Sequence, residues 1–318
     1  MKRTKKLLAL LIGLIVVCAA AIAAVRLTRK PDSQLKGEMI VFDAPEDAFV
    51  KLTIKLDGES MVFLKERENW IYEGDSDMVL TQLHFEKMIR ELSPLKATGF
   101  IGQQKDLSAY GLAQPKVSFT AETEDQAITI MVGNESALGN DRYFMVDDGI
   151  VYTGSKDLYS DFDNSLLEYM APEAIPDMSR SCALEIYRTD ETIELAMETR
   201  DEKDTWYLIQ EGKGIELDRE ETQAFVDIIT GLAWKKSVGW KPSAADLMAF
   251  GLGTDAPMVT VSYLDDTRSV CQFSFCVGAD AEGNFQAQVQ GSPQVHQIDD
   301  RIGNAILKAT FRSGIKMD

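Results

Sequence analysis

Histidine and cysteine are scarce in this chain. Among its 318 residues there are two histidines, His84 and His296, and four cysteines. The histidines stand far apart and outside spacings such as H-x-x-x-H, so the sequence indicates no metal site. Three of the cysteines follow the N-terminal region, and three thiols cannot all pair. Because small secreted domains held by disulfides are much richer in cysteine, we expect these thiols to be free.

The motifs of common enzyme classes are also missing. The sequence contains neither a P-loop nor the G-x-S-x-G of serine hydrolases. GLGTDA, from Gly251 to Ala256, matches the dinucleotide fingerprint G-x-G-x-x-A in its letters. However, Pro257 and a predicted strand follow it where the fingerprint requires a helix. We therefore assign no catalytic residue and no cofactor, and catalysis is not indicated.

Basic residues are few beyond the N-terminus. Residues 1–30 hold seven Lys and Arg and no acid, which leaves 26 basic residues against 51 acidic ones in the remainder. A surface of this sign repels nucleic-acid phosphates, so DNA and RNA are not expected as partners. The excess charge favours solubility, and acidic turns such as the one at Asp280 are interpreted as solvated. Cation binding or a basic partner stays an alternative.

The N-terminus has a long apolar run. MKRTKK precedes 19 residues without a charge, LLALLIGLIVVCAAAIAAV. As a helix they would span roughly 28 Å, close to the ~30 Å hydrocarbon core of a bilayer. The positive end is expected to stay in the cytoplasm, which places the acidic bulk outside the cytoplasmic membrane. The predicted membrane-anchor residues are Leu7, Leu11, Leu14, Val17, Ile22 and Val25.

Two other interpretations of this run stay open. The tripeptide AIA at residues 21–23 offers a small-x-small cleavage site, and cleavage there would release a secreted protein. Lipidation of Cys18 is the third interpretation, although Val17 stands where bacterial lipoprotein sites want a small residue. An uncleaved single span is the favoured prediction.

The rest of the chain repeats itself. AYGLAQPKVSFTAE at residues 109–122 resembles AFGLGTDAPMVTVSYLDD at residues 249–266. An aromatic residue, a glycine and a leucine before a proline-bearing turn suit a chain reversal in which glycine takes a positive φ. The repeat-signature residues, to which we assign a structural role, are Trp70, Tyr110, Gly111, Leu112 and Gly133 in the first copy, and Trp206, Phe250, Gly251, Leu252 and Gly278 in the second.

Each copy also predicts one amphipathic helix between its strands. Apolar residues recur there at i, i+3, i+4 and i+7, which is the spacing of one buried helix face. These stripes are Phe85, Met88, Ile89 and Leu92 in the first copy, and Phe225, Ile228, Ile229 and Leu232 in the second.

Together the patterns predict an α+β fold with two similar repeat units after an N-terminal transmembrane helix. Each unit is expected to be mostly antiparallel β-sheet with one main packed helix. The predicted organisation is a cytoplasmic tip and anchor at 1–30, a linker at 31–44, a first unit at 45–172 and a second unit at 177–312. Whether the units share one sheet is left open.

This arrangement resembles the bacterial family of domain of unknown function 4340 (DUF4340), which are small membrane-tethered proteins. The resemblance is carried by the N-terminal run, by NWIYE, by AYGLAQPKVSFTAE after a helix, by ITIMVG and by RYFMVDDGIVY. It covers about residues 45–170, and the second copy more weakly. The longer GLGTDAP in place of GLAQP is one departure in the second copy.

The resemblance implies a function. Genes of this family often accompany ABC-type exporters of the gliding-motility kind, which implies an accessory role beside the permease and ATPase subunits of a transporter. We therefore expect a membrane-anchored extracytoplasmic binding or scaffold protein, whose partner is such a transporter or a component of the cell envelope. The alternative is a cell-envelope hydrolase that uses acidic residues between the two units.

Overall fold

The structure is a computed structural model that describes residues 39–136, 141–155, 160, 162–201, 203–308, 310–311 and 315–316. The chain divides into two compact units, residues 1–165 and 166–318. Residues 39–42, which lie in the predicted linker, form a strand that pairs with residues 95–97. The predicted tip and anchor at residues 1–30 lie outside the described residues.

The first unit is an antiparallel sheet of eight strands in the order β4-β3-β2-β7-β8-β9-β10-β6, with a separate pair β1-β5. Its strands are β1 (Met39–Phe42), β2 (Phe49–Leu56), β3 (Glu59–Glu66), β4 (Asn69–Tyr72), β5 (Leu95–Ala97), β6 (Gly99–Gln103), β7 (Val117–Thr123), β8 (Ala127–Glu135), β9 (Asp141–Met145) and β10 (Ile150–Ser155). Helix α1 (Gln82–Leu92) and two 3₁₀ turns, Glu46–Ala48 and Ser108–Tyr110, complete the unit.

The second unit has nine antiparallel strands in the order β14-β13-β12-β11-β16-β17-β18-β19-β15. Its strands are β11 (Ser181–Tyr187), β12 (Thr192–Arg200), β13 (Lys203–Gln210), β14 (Lys213–Glu216), β15 (Lys236–Trp240), β16 (Met258–Leu264), β17 (Val270–Ala279), β18 (Phe285–Val289) and β19 (Gln294–Gln297), with a terminal pair β20 (Thr310–Phe311) and β21 (Ile315–Lys316). The helices are α2 (Leu166–Tyr169), α3 (Arg219–Thr230), α4 (Ala244–Ala249) and α5 (Asp300–Lys308).

The same strand order therefore occurs twice, and the second unit adds the edge strand β14. The period-two alternation of apolar residues explains the sheets, because it turns every second side chain toward the core. Leu52 and Ile54 of β2, for example, are fully buried. Helix α1 buries all four residues of its predicted stripe. On α3 the fully buried residues include Val226, whereas Ile228 is only partly buried.

The predicted α+β class is wrong. The described residues are 46% strand and 19% helix, and the sheets are antiparallel, so the chain belongs to the mainly-β class. The prediction overestimated the share of helix. An eleven-residue helix with an apolar stripe carries a stronger periodic signal than strands of four to nine residues. Within the described part of the chain, no helix has the length and apolar character needed to cross a membrane.

Candidate functional site: an apolar groove in the second unit

In each unit the repeat-signature turn reverses the chain at a glycine. Gly111 and Gly251 both have φ of 71°, a conformation that other residues rarely adopt. The leucine that follows is buried in both cases, with Leu112 2% exposed and Leu252 6% exposed. The turn is thereby fastened to the core of its own unit.

A second glycine lets this turn approach the sheet. A Cβ atom on Gly133 in β8 would lie 2.2 Å from the carbonyl oxygen of Tyr110, and one on Gly278 in β17 would lie 2.2 Å from that of Gly251. Only a residue without a side chain fits at such a distance. The structure thus brings the predicted glycines together with their turns, which their spacing in the sequence did not indicate.

The two signature tryptophans hold the main helix of each unit. Trp70 is buried against Phe85 of α1 at 5.7 Å between ring centroids, and its backbone amide donates to Gln82 Oε1 at 2.7 Å. Trp206 is 1% exposed and donates from Nε1 to Gln223 Oε1 on α3 at 2.9 Å. Both residues serve the packing of strand and helix.

The second-unit turn also forms one wall of an open groove with a volume of about 750 Å³. Helix α4 contributes Leu247 and Met248, and β17 contributes Val277 to Ala279. Leu307, near the end of α5, closes the opposite side. The remaining lining is Ala244 and the turn from Gly251 to Pro257. This volume lies in the range of small-ligand and peptide sites.

Helix α4 is fixed at its start by a capping box. The backbone amide of Asp246 donates to Ser243 Oγ at 3.2 Å, and the amide of Ser243 donates to Asp246 Oδ2 at 2.9 Å. The Ser243 hydroxyl also donates to Asp246 Oδ2 at 2.7 Å, and this bond, together with the one from the Ser243 amide, lowers the pKa of the Asp246 carboxyl. Reciprocal capping of this kind stabilises a helix that is too short to be stable alone.

The other wall is fixed by a buried arginine. Arg188 is 9% exposed and donates from Nε to the carbonyl oxygen of Ile306 at 2.9 Å. Its Nη2 donates to the same oxygen, and its Nη1 donates to Glu191 Oε1 at 2.7 Å. A cation at the last turn of α5 satisfies a carbonyl that the helix cannot pair, and it sets the position of Leu307.

Met248 and Asp255 give the groove its chemistry. Met248 is 75% exposed, which is unusual for a large apolar side chain. Asp255 is exposed, and within the described part of the chain it is the one ionisable residue that lines the groove. The surface therefore combines an adaptable apolar area with a single negative charge.

The first unit builds the corresponding segment differently. Its 3₁₀ turn Ser108–Tyr110 occupies the place of α4, and GLAQP is two residues shorter than GLGTDAP. The Tyr110 ring packs edge-on against Tyr143 at 4.9 Å. In the second unit the Phe250 ring lies over Gly239 of β15, 3.2 Å from where a Cβ would stand. The groove thus combines residues that both copies share, such as Gly251 and Gly278, with α4 and the longer turn, which distinguish the second copy.

Other residues singled out in the sequence lie in structural roles. His296 is fully buried and stacks on Trp234 at 4.5 Å between ring centroids. Its Nε2 lies 3.5 Å from Glu173 Oε1. Asp280, which the sequence predicts to lie in a solvated turn, accepts hydrogen bonds from the backbone amides of Glu282 and Asn284. These two hydrogen bonds close the turn. The three cysteines beyond the N-terminal region are free.

No group of three or more histidine, cysteine, aspartate or glutamate side chains in the described ranges could hold a metal ion. The predicted anchor residues Leu7, Leu11, Leu14, Val17, Ile22 and Val25 lie outside those ranges. No protein-family model, curated protein or solved structure matches the chain.

Proposed function

We propose that this protein is a membrane-anchored, extracytoplasmic binding module that holds part of a partner protein in the groove of its second unit. The partner is a subunit of an ABC-type exporter. The single observation that carries the binding role is the groove itself, because its exposed apolar residue Met248 has no evident structural purpose at 75% exposure. Exposed apolar surface beside a concave site is typical of protein contacts.

The difference between the two units supports the same role. Helix α4 and the longer turn at residues 253–255, which the first unit lacks, both line the groove. The capping box of α4 and the arginine behind Leu307 fix both walls in place. A site whose walls are held in advance loses less conformational entropy when it binds.

The membrane anchor and the exporter partner are inferred from the sequence. The uncharged run Leu7–Val25 supports a single span, and the four Lys and Arg before it, against three just after it, support an extracytoplasmic position for the rest of the chain. The resemblance to the DUF4340 proteins supports an exporter as the partner.

The test is site-specific photocrosslinking in intact source cells. A photoreactive amino acid replaces Met248 in the tagged full-length protein, and a matched variant carries it at Val270, which is 65% exposed at the start of β17 and does not line the groove. We expect position 248 to crosslink to an extracytoplasmic part of a permease subunit, identified by mass spectrometry, and position 270 not to do so.

The two positions give distinct outcomes. Capture of the same proteins from both would show general proximity rather than binding in the groove. Absence of any adduct from position 248, with the protein present at its normal level, would remove the proposed function.

A further inference from the structure

The groove carries a negative charge as well as an apolar surface. Of the described residues that line it, Asp255 is the one ionisable residue, and none of them is a lysine or an arginine. Among the described residues the Asp255 carboxylate has no hydrogen bond or ion pair; only its backbone carbonyl accepts one, from Thr189 Oγ1 at 3.5 Å. This carboxylate is therefore free to meet a ligand.

The rest of the chain reinforces that charge. The whole protein carries a formal net charge of −18 at pH 7. A ligand that approaches the groove consequently enters a negative potential, which attracts cations and repels anions. An anionic headgroup or an acidic peptide would be disfavoured at the groove itself.

We infer that the groove binds a peptide segment in which an apolar side chain is flanked by a lysine or arginine. This inference rests on the proposed function and specifies its ligand. The apolar side chain packs on Leu247, Met248 and Leu307, and the basic residue lies beside Asp255. A peptide fits better than a compact metabolite, because Met248 and Asp255 both line the groove and are both exposed, so that neighbouring residues of one chain can contact them.

The two contacts differ in strength. Burial of one leucine-sized side chain changes an affinity by about ten- to a hundredfold. An exposed ion pair such as that with Asp255 changes it by only about two- to fivefold, and the effect weakens in salt. The apolar contact therefore supplies most of the affinity, and the charge of Asp255 supplies the preference for a basic residue in the peptide.

The experiment uses the full-length protein in nanodiscs of zwitterionic lipid, with empty nanodiscs as background. Three fluorescein-labelled peptides share two leucines one helical turn apart and differ only in a flanking lysine, glutamine or glutamate. Fluorescence anisotropy then gives Kd for each. We expect the lysine peptide to bind about two- to fivefold more tightly than the glutamine peptide, and the glutamate peptide to bind most weakly.

Three variants of the protein show which residue is responsible for the charge preference and which for the affinity. Asp255→Asn should reduce the preference for the lysine peptide over the glutamine peptide to the part that the net charge of the whole protein supplies. Asp266→Asn removes one charge from the turn between β16 and β17, outside the groove, and should leave the order of the peptides unchanged. Met248→Ser should weaken all three peptides without changing their order.

The inference is overturned if the leucine peptides do not bind, or if their order is independent of charge in the wild type. It is also overturned if the preference for lysine is undiminished in Asp255→Asn. Failure of the proposed function is a separate result, namely no adduct from position 248 in cells. Peptide binding without that adduct would leave a groove of the stated chemistry but a different partner.

Discussion

The backbone of Gly251 lies directly against Gly278, so that a Cβ atom on Gly278 would stand 2.2 Å from the Gly251 carbonyl oxygen and 2.3 Å from its carbonyl carbon. The contact joins the signature turn to β17 at the base of the groove. The first unit repeats it with Gly133 and the Tyr110 carbonyl oxygen. A backbone atom cannot swing aside as a flexible side chain can.

Replacing Gly278 by alanine should therefore destabilise the second unit. We expect Gly278→Ala to lower the free energy of unfolding by about 3 kcal/mol, since the turn and β17 must separate to make room. Urea denaturation of the detergent-solubilised protein, followed by tryptophan fluorescence, measures this loss.

The matched control is Gly253→Ala in the same turn. A Cβ there meets only Met248 Cγ at 3.8 Å, which is an ordinary contact, so its effect should stay within about 0.5 kcal/mol. Equal stabilities of Gly278→Ala and the wild type would contradict the close approach.

Arg188→Gln should also lower the stability of the second unit. The substitution leaves the carbonyl of Ile306 without its charged donors, and loss of a hydrogen bond of this kind costs about 1.5–3 kcal/mol. Because Leu307 follows Ile306, binding of the leucine peptides should weaken as well. Thermal unfolding and fluorescence anisotropy report the two effects.

Arg180→Gln provides the comparison. Arg180 pairs with Asp266 at 3.1 Å on an exposed surface, where an ion pair contributes about 0–1 kcal/mol. If both arginine variants lost the same small amount of stability, Arg188 would not fix the end of α5.

The Tyr152 hydroxyl should lose its proton at a higher pH than an ordinary tyrosine. Burial raises its pKa to about 12, and the hydrogen bond from its hydroxyl to Asp148 Oδ2 at 3.0 Å adds to the shift. Since the folded state holds this proton more tightly than the unfolded state, the contribution to stability is complete below pH ~10 and is lost as the pH rises toward 12.

Carbon-13 NMR of labelled tyrosine measures this titration, and Tyr152→Phe assigns the signal. Asp148→Asn should move the midpoint down, because the neutral amide no longer disfavours the phenolate. A Tyr152 midpoint near 10 in the wild type would contradict the buried position.

The direction of the chain across the membrane can be tested with C-terminal fusions. We expect alkaline phosphatase to be active and a fluorescent protein that folds only in the cytoplasm to be dark, because the positive end precedes the apolar run. Deletion of residues 7–25 should reverse both signals. An active cytoplasmic reporter on the full chain would contradict the predicted orientation.

Much of the fold could be predicted from local patterns. Period-two segments predicted the strands, and the stripe of α1 predicted the helix face that packs on the sheet. The class was wrong because it depends on how many residues each element takes up. Short strands such as β14 and β19 contain too few residues for their number to be judged from alternation.

The groove could not be predicted. Its walls come from α4, from β17 and from Leu307, which are far apart in the sequence and meet only through the order of the strands. GLGTDAP was noted as a departure from GLAQP, but an insertion does not reveal what packs beside it. His296 was equally hidden, since its burial depends on a stacking partner at Trp234.

The strand order also determines when each unit can fold during synthesis. Leu52 of β2 pairs with Ala121 of β7, and Leu184 of β11 pairs with Val261 of β16. The strands β2–β4 of the first unit and β11–β14 of the second are thus made with one edge unpaired, until the helix and a further stretch of chain have followed. Closing such long loops is slow, and an unpaired edge readily joins another chain. We therefore expect each unit to be most prone to aggregation before β7 or β16 has emerged.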